Sequence, residues 1–326
     1  MNKLDKDTFK RFKLIENMIK EYPIIKFDLK KINNIKDNFK EYTPEYKIVN
    51  KNLKIQYSLF VAKEILNETK SFKQYVHIKT NLVDIKISYL EISDTLINMV
   101  YSIILLFQKL HGNKNKDRKI KVNIFLSNVK REITKEIIGI LAVNGGATDG
   151  ITIDIHRKEE LLKVLCHELC HFFKLDCYKI NNDQDKIHNK YKIEMLNDIT
   201  LSLSEAINEC EAMLYHVAII SYYTKKSPYL IYHYEKIWSL YQACHVLNHY
   251  NMKKFEDVYE SKFKQETNVF SYYVIKFFLL WKMNNKCCIK NIDSILNDQE
   301  IIKTINKNIN KKFDKGLRMT LFELKI

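Results

Sequence analysis

The stretch 150–173, GITIDIHRKEELLKVLCHELCHFF, decides how the rest of the chain is read. Its first seven residues alternate in the manner of a half-buried strand. From about Arg157 the apolar residues Leu161, Val164, Leu165, Leu169, Phe172 and Phe173 recur at helical spacing. A strand feeding straight into a helix therefore carries the pentapeptide 167–171, His-Glu-Leu-Cys-His. Residues four apart on a helix lie one turn above each other, so His167 and His171 can converge on one ion. Two imidazoles at this spacing hold zinc in many hydrolases, and the acid between them, Glu168, stands where it can take a proton from an attacking water. The plainer alternative is a helix with two partly buried histidines in ordinary hydrogen bonds.

A catalytic zinc needs a third protein ligand and an open position. Residues 203–212, LSEAINECEA, read as a second helix that supplies Glu205, Glu209 and Glu211; the first two share a face and Glu211 does not. A solvated acidic face is the competing reading. Cys177, six residues beyond His171, is a weaker candidate, because Lys174 stands where a turn back to the metal would call for glycine. Asp176 reads as a helix terminator, and Cys166 and Cys170 as small apolar helix residues.

Upstream, 73–79 and 82–90 alternate like strands, 91–110 reads as a buried helix, and IKVNIFLS (120–127) and 138–150 read as further strands. A first helix before Pro23 is expected to turn Phe9, Phe12, Leu14, Ile15, Met18 and Ile19 to one side. Beyond residue 190 helices are expected near 192–223, 229–248, 252–262, 267–283 and 291–311. The class is α+β, with a helical and mixed N-terminal region over 1–115 and a metallopeptidase-like domain over 116–326.

Only six Gly and three Pro interrupt 326 residues, which favours long helices. A formal charge of +15 invites a nucleic-acid reading, but the lysines are dispersed and the one dense run, 113–121, reads as a solvated loop before a strand. The charge suits acidic polypeptide partners equally well. Seven cysteines without framework spacing point to a reducing, intracellular compartment. The apolar run 268–281 is too short for a bilayer and contains Lys276, so no membrane partner is expected.

The blocks VNGGATDG (143–150), IDIHRKEELLKVLCHELCHFF (153–173), LSEAINECEAMLYH (203–216), QACHVLNHYNM (242–252) and ETNVFSYYVIK (266–276) resemble, in order and spacing, the zinc metallopeptidase family of nucleocytoplasmic large DNA viruses. Leu161 and Leu162 depart from that pattern, where bulkier aromatics are expected. The Glu-Ala-Ile-x-Glu run is similar to the glutamate helix of thermolysin-like gluzincins. These resemblances imply a zincin-like fold, zinc on His167, His171 and Glu205, Glu168 as base, Glu209 as the outer acid orienting a histidine, and a location in the host cytoplasm, a viral factory or the virion. Tyr272, Tyr273, His245 and His249 are candidates for steadying an oxyanion, with Tyr273 and His249 put forward, and Gly145 and Gly146 for letting an extended substrate approach. The function expected is peptide-bond hydrolysis. Its competitors are an inactive protein of the same fold serving as a virion or interaction component, and a basic nucleic-acid-binding protein.

Overall fold

The computed structural model describes residues 3–24, 27–55, 60–112, 119–175, 183–196, 201–282 and 291–325. Six strands, β1 (Lys47–Val49), β2 (Tyr75–Lys79), β3 (Val83–Ser88), β4 (Ile120–Phe125), β5 (Gly146–Thr148) and β6 (Thr152–Ile155), form one sheet in the order β1-β2-β3-β4-β6-β5. Its centre is parallel, β3 with β4 and β4 with β6, while both flanks are antiparallel. That explains the sequence pattern. β6, at the covered centre, is buried at every position, whereas β2 on the flank alternates. β5 lies at one edge.

The helices are α1 (Lys6–Glu21), α2 (Lys30–Asn38), α3 (Lys63–Thr69), α4 (Asp94–His111), α5 (Ile140–Val143), α6 (Leu161–Phe172), α7 (Asp183–Lys190), α8 (Leu203–Thr224), α9 (Pro228–His249), α10 (Lys276–Lys282), α11 (Ile292–Leu296) and α12 (Gln299–Asn308). Helix α6 packs against β5 and β6 on one side and against α8 on the other. Helix α8 is buried almost all round, enclosed by α2, α6, α9 and α10, which is why it reads as apolar on every face. Two further strands, β7 (Ile193–Met195) and β8 (Phe263–Gln265), pair in parallel apart from the main sheet. The C-terminal segment threads back into the core: Leu317, Met319, Leu321, Phe322 and Leu324 are buried, and Glu235 of α9 accepts from the amides of Leu321 and Phe322.

The architecture is α+β as expected, and several local expectations change. The boundary near 115 runs through the sheet, since β3 and β4 pair across it and one core is continuous on both sides. The 138–150 stretch divides into α5 and β5, because a short apolar run such as IGILAV suits a buried helical turn as well as a strand. Helix α6 starts at Leu161 rather than near Arg157, whose guanidinium is tied to the carbonyls of Val129, Lys130, Leu141 and Asn144. On α1 the inward face holds Thr8, Arg11, Ile15 and Met18, while Phe9 and Leu14 are exposed.

Further along, 192–223 opens with β7 before α8. The 252–262 segment holds only a 3-10 turn at Phe255–Tyr259, whose apolar anchors Phe255 and Val258 need no longer element. Asp298 breaks 291–311 by capping α12 through the amides of Glu300 and Ile301. Residues 113–118 of the basic run, together with Asp176, Cys177, Cys287 and Cys288, lie outside the described residues. Cys166, Cys170, Cys210 and Cys244 are buried. No helix is long and apolar enough to cross a membrane among the described residues.

Candidate metal centre

The α6–α8 contact builds the site. Asn208 of α8 donates to the His167 carbonyl at 3.0 Å, which fixes where the two helices cross. At that crossing His167 Nε2 and His171 Nε2 each lie 3.3 Å from the same oxygen, Glu205 Oε2. Charge-assisted hydrogen bonds are shorter, about 2.7–2.9 Å. By contrast, ligands bound at about 2.0–2.2 Å to a tetrahedral ion are separated by roughly 3.3–3.6 Å, so the two histidine–glutamate distances match two edges of such a tetrahedron. His167, His171 and Glu205 are the group among the described residues whose ligand atoms could hold a metal ion.

Glu209, one turn after Glu205 on α8, meets the other nitrogen of His167, with Nδ1 to Oε1 at 2.7 Å. A carboxylate at this distance favours the tautomer with the proton on Nδ1, which turns the lone pair of Nε2 towards the Glu205 side. Glu209 is itself held by two buried cations. Lys163 Nζ pairs with Oε1, and Lys276 Nζ lies 3.2 Å from Oε2 and donates to the Met319 carbonyl at 3.1 Å. Burial alone would raise the Glu209 carboxyl, but Lys163 and Lys276 outweigh it and hold the group well below the usual carboxylate range. Glu205 follows the same logic, with burial opposed by His167 and His171 and the result lowered.

Glu168 behaves oppositely. Burial raises its carboxyl, the two histidines only partly offset that, and Glu205 adds to the rise. A carboxylate held up in this way is a better proton acceptor than an exposed one. Burial also lowers His167, but the Glu205 and Glu209 carboxylates reverse the sign and raise it.

His167, Glu168, His171, Glu205 and Glu209 line a cavity of about 470 Å³ whose wall also includes Gly145 and the edge strand β5. The two adjacent glycines are there because the approach is close: a Cβ at Gly146 would stand 2.8 Å from Glu168 Oε1, and one at Gly145 2.4 Å from Arg131 Nη2. Tyr272 completes the wall, its hydroxyl donating to Glu205 Oε2 at 3.1 Å. It projects from a π-helical turn, Phe270–Ile275, that leads into α10, where the expected 267–283 helix is locally rewound.

His167, His171, Glu168, Glu205 and Glu209 come together as expected from the chain. Tyr273 does not: its hydroxyl donates to the Leu317 carbonyl at 2.8 Å in the core, so the neighbouring tyrosine reaches the cavity instead. His249 is also elsewhere, bonded to the Glu136 carbonyl at 2.8 Å, and His245 stacks on Phe313. Glu211 pairs with Lys31. Lys174 takes a left-handed φ of 53°, so the lack of glycine there does not prevent a turn; Glu205 already supplies the third donor. Lys163, Lys276 and Arg131 were missed. The first two carried a signal, since a lysine inside an apolar helical stretch (LLKVLC, VIKFF) is buried only with a partner.

Comparison with family models, with curated proteins and with solved structures finds no match to this chain.

Proposed function

We propose that this chain is a zinc-dependent peptidase of the gluzincin type, with a zincin-like fold and with His167, His171 and Glu205 as ligands. The observation that carries the reading is the convergence of two imidazole Nε2 atoms on one carboxylate oxygen at 3.3 Å each, with Glu168 alongside in a cavity walled by an edge strand. A His₂Glu set with room for further ligands is typical of catalytic zinc. Zinc, when bound, supplies Lewis acidity that polarises a carbonyl and makes water easier to deprotonate.

The chain's own residues divide the remaining work. The open edge of β5 receives an extended peptide by strand addition, which places a peptide carbonyl over the histidine pair. Glu168, buried and raised, takes the proton of the attacking water and delivers it to the departing amine. The Tyr272 hydroxyl is placed to donate to negative charge growing on the carbonyl oxygen. Glu209, locked by its two lysines, keeps His167 in the donor tautomer.

The test combines elemental analysis of the purified protein with a peptide-library digest of the wild type and a Glu168→Gln protein. Zinc in both, with cleavage only by the wild type, is the expected result. Absence of zinc, or equal cleavage by the two proteins, would exclude the reading.

A further inference from the structure

Arg131 stands in the wall of the same cavity and has no part in the chemistry above. Its side chain is 1% exposed. Nε lies 2.9 Å from Glu160 Oε2 as an ion pair without hydrogen-bond geometry and Nη1 donates to the Val143 carbonyl, while Nη2 donates to no acceptor among the described residues. Glu160 is already committed, since it accepts from the amides of Met319 and Thr320 and from the Thr320 hydroxyl. Of the acids that line the cavity, Glu205 is engaged with the histidines and Glu209 with Lys163 and Lys276, and among the described residues no ion pair joins Glu168 to Arg131. A guanidinium stays charged at any ordinary pH, and an N–H that faces the cavity without a protein acceptor is open to a ligand that supplies one.

Its position relative to Glu168 follows from the glycines. A Cβ at Gly145 would lie 2.4 Å from Arg131 Nη2 and 3.0 Å from one methyl of Val164; a Cβ at Gly146 would lie 3.0 Å from the other methyl and 2.8 Å from Glu168 Oε1. Consecutive α-carbons are about 3.8 Å apart, so Nη2 and Glu168 Oε1 face neighbouring residues, Gly145 and Gly146, along the same side of the cavity. One extended residue spans about 3.3–3.6 Å, so neighbouring residues of an extended substrate laid along Gly145 and Gly146 would meet Arg131 and Glu168 in turn.

Resting on the peptidase reading, we propose that Arg131 is a specificity-determining residue whose Nη2 receives a carboxylate from the substrate residue adjoining the scissile bond. The carboxylate can belong to an acidic side chain or to a free C terminus. The two sources share one chemistry and are separable by peptide design.

The experiment uses the full zinc-loaded chain and matched peptides that carry Glu or Gln beside the cleaved bond, each with a free-acid or an amidated C terminus. The expected result is a kcat/KM about 10- to 100-fold higher when a carboxylate adjoins the bond, the size of one charge-assisted contact. A preference for Glu over Gln assigns the side chain, and a preference for free acid over amide assigns the terminus. Arg131→Gln is expected to erase the preference while still cleaving the neutral peptide. Because Arg131 balances the buried Glu160, a failure of that variant to fold does not bear on the proposal, and the wild-type comparison is decisive by itself: equal rates for Glu and Gln and for acid and amide overturn it. Equilibrium binding of the same peptides to the zinc-loaded Glu168→Gln protein separates the two readings. Carboxylate-dependent binding without any hydrolysis by the wild type would refute the peptidase reading alone, whereas equal affinities would refute the role of Arg131.

Discussion

Gly146 lies directly over the Glu168 carboxylate, so close that a Cβ there would stand 2.8 Å from Oε1 and 3.0 Å from the Glu168 Cγ. The two residues belong to different elements, edge strand and helix, and the missing side chain sets the width of the gap between them. Gly146→Ala is expected to push the carboxylate aside without touching a ligand. Turnover should fall by about 10²-fold, the usual cost of a misplacement near 1 Å, with zinc content unchanged. Zinc analysis alongside peptide kinetics checks this, and unaltered turnover would show that the gap can relax.

The tyrosine pair offers a sharper contrast. Tyr272 reaches Glu205 in the cavity, whereas Tyr273 is bonded to the Leu317 carbonyl. Tyr272→Phe is expected to lower kcat by about 10²–10³-fold with little change in stability, the range for removing one oxyanion donor. Tyr273→Phe should leave kcat alone and cost about 1 kcal/mol of stability. Steady-state kinetics and urea unfolding of the two proteins distinguish them; the reverse pattern would move the donor back to Tyr273.

Glu209 couples the ligand His167 to the buried Lys163 and Lys276. Glu209→Gln is expected to weaken zinc binding about 10- to 100-fold, measured by competition with a chelator. Lys276→Met should destabilise the fold by about 3–5 kcal/mol because it leaves buried charge unbalanced. Loss of zinc affinity without loss of stability in Lys276→Met would mean that the lysine acts on the ligand rather than on the core.

A dependence on pH should come from outside the centre. His156 is buried, its ring nitrogens have no hydrogen-bond partner, and burial, helped by Arg157, lowers it to about 3. His245 is likewise lowered to about 4, by burial and then by His249. A histidine depressed in the folded state binds its proton more readily when unfolded. Its stabilising contribution is therefore complete above the unfolded value, about 6.5, and is lost as pH falls, at about 1.4 kcal/mol per pH unit for each such group. His156→Leu should flatten urea midpoints between pH 6.5 and 4.5 relative to the wild type. Parallel curves for the two proteins would contradict the assignment.

Much of the local structure was legible because it depends on near neighbours along the chain. Alternation marked β2, β3, β4 and β6, and helical spacing marked α4, α6 and α9. The errors fell where a cap, a distant side chain or a change of helical winding decides an element's limits. Asp298 caps the start of α12, the Arg157 guanidinium gathers carbonyls from the 129–130 loop and from α5 and its end ahead of α6, and the 267–283 segment is rewound into a π-helical turn that brings Tyr272 rather than Tyr273 to the cavity.

By itself the chain determined that two histidines and an intervening glutamate share one helix, and that Glu205 and Glu209 share the face of another, since both facts follow from a 3.6-residue period. Only the tertiary structure decided that those two faces meet. It brought the Glu205 oxygen to 3.3 Å from both imidazoles, set two lysines behind Glu209, and left one nitrogen of Arg131 without an acceptor at the cavity wall. The reason is physical: a helical period fixes direction around one axis, whereas the crossing of two helices depends on packing between residues dozens of positions apart, such as Asn208 against the backbone of His167.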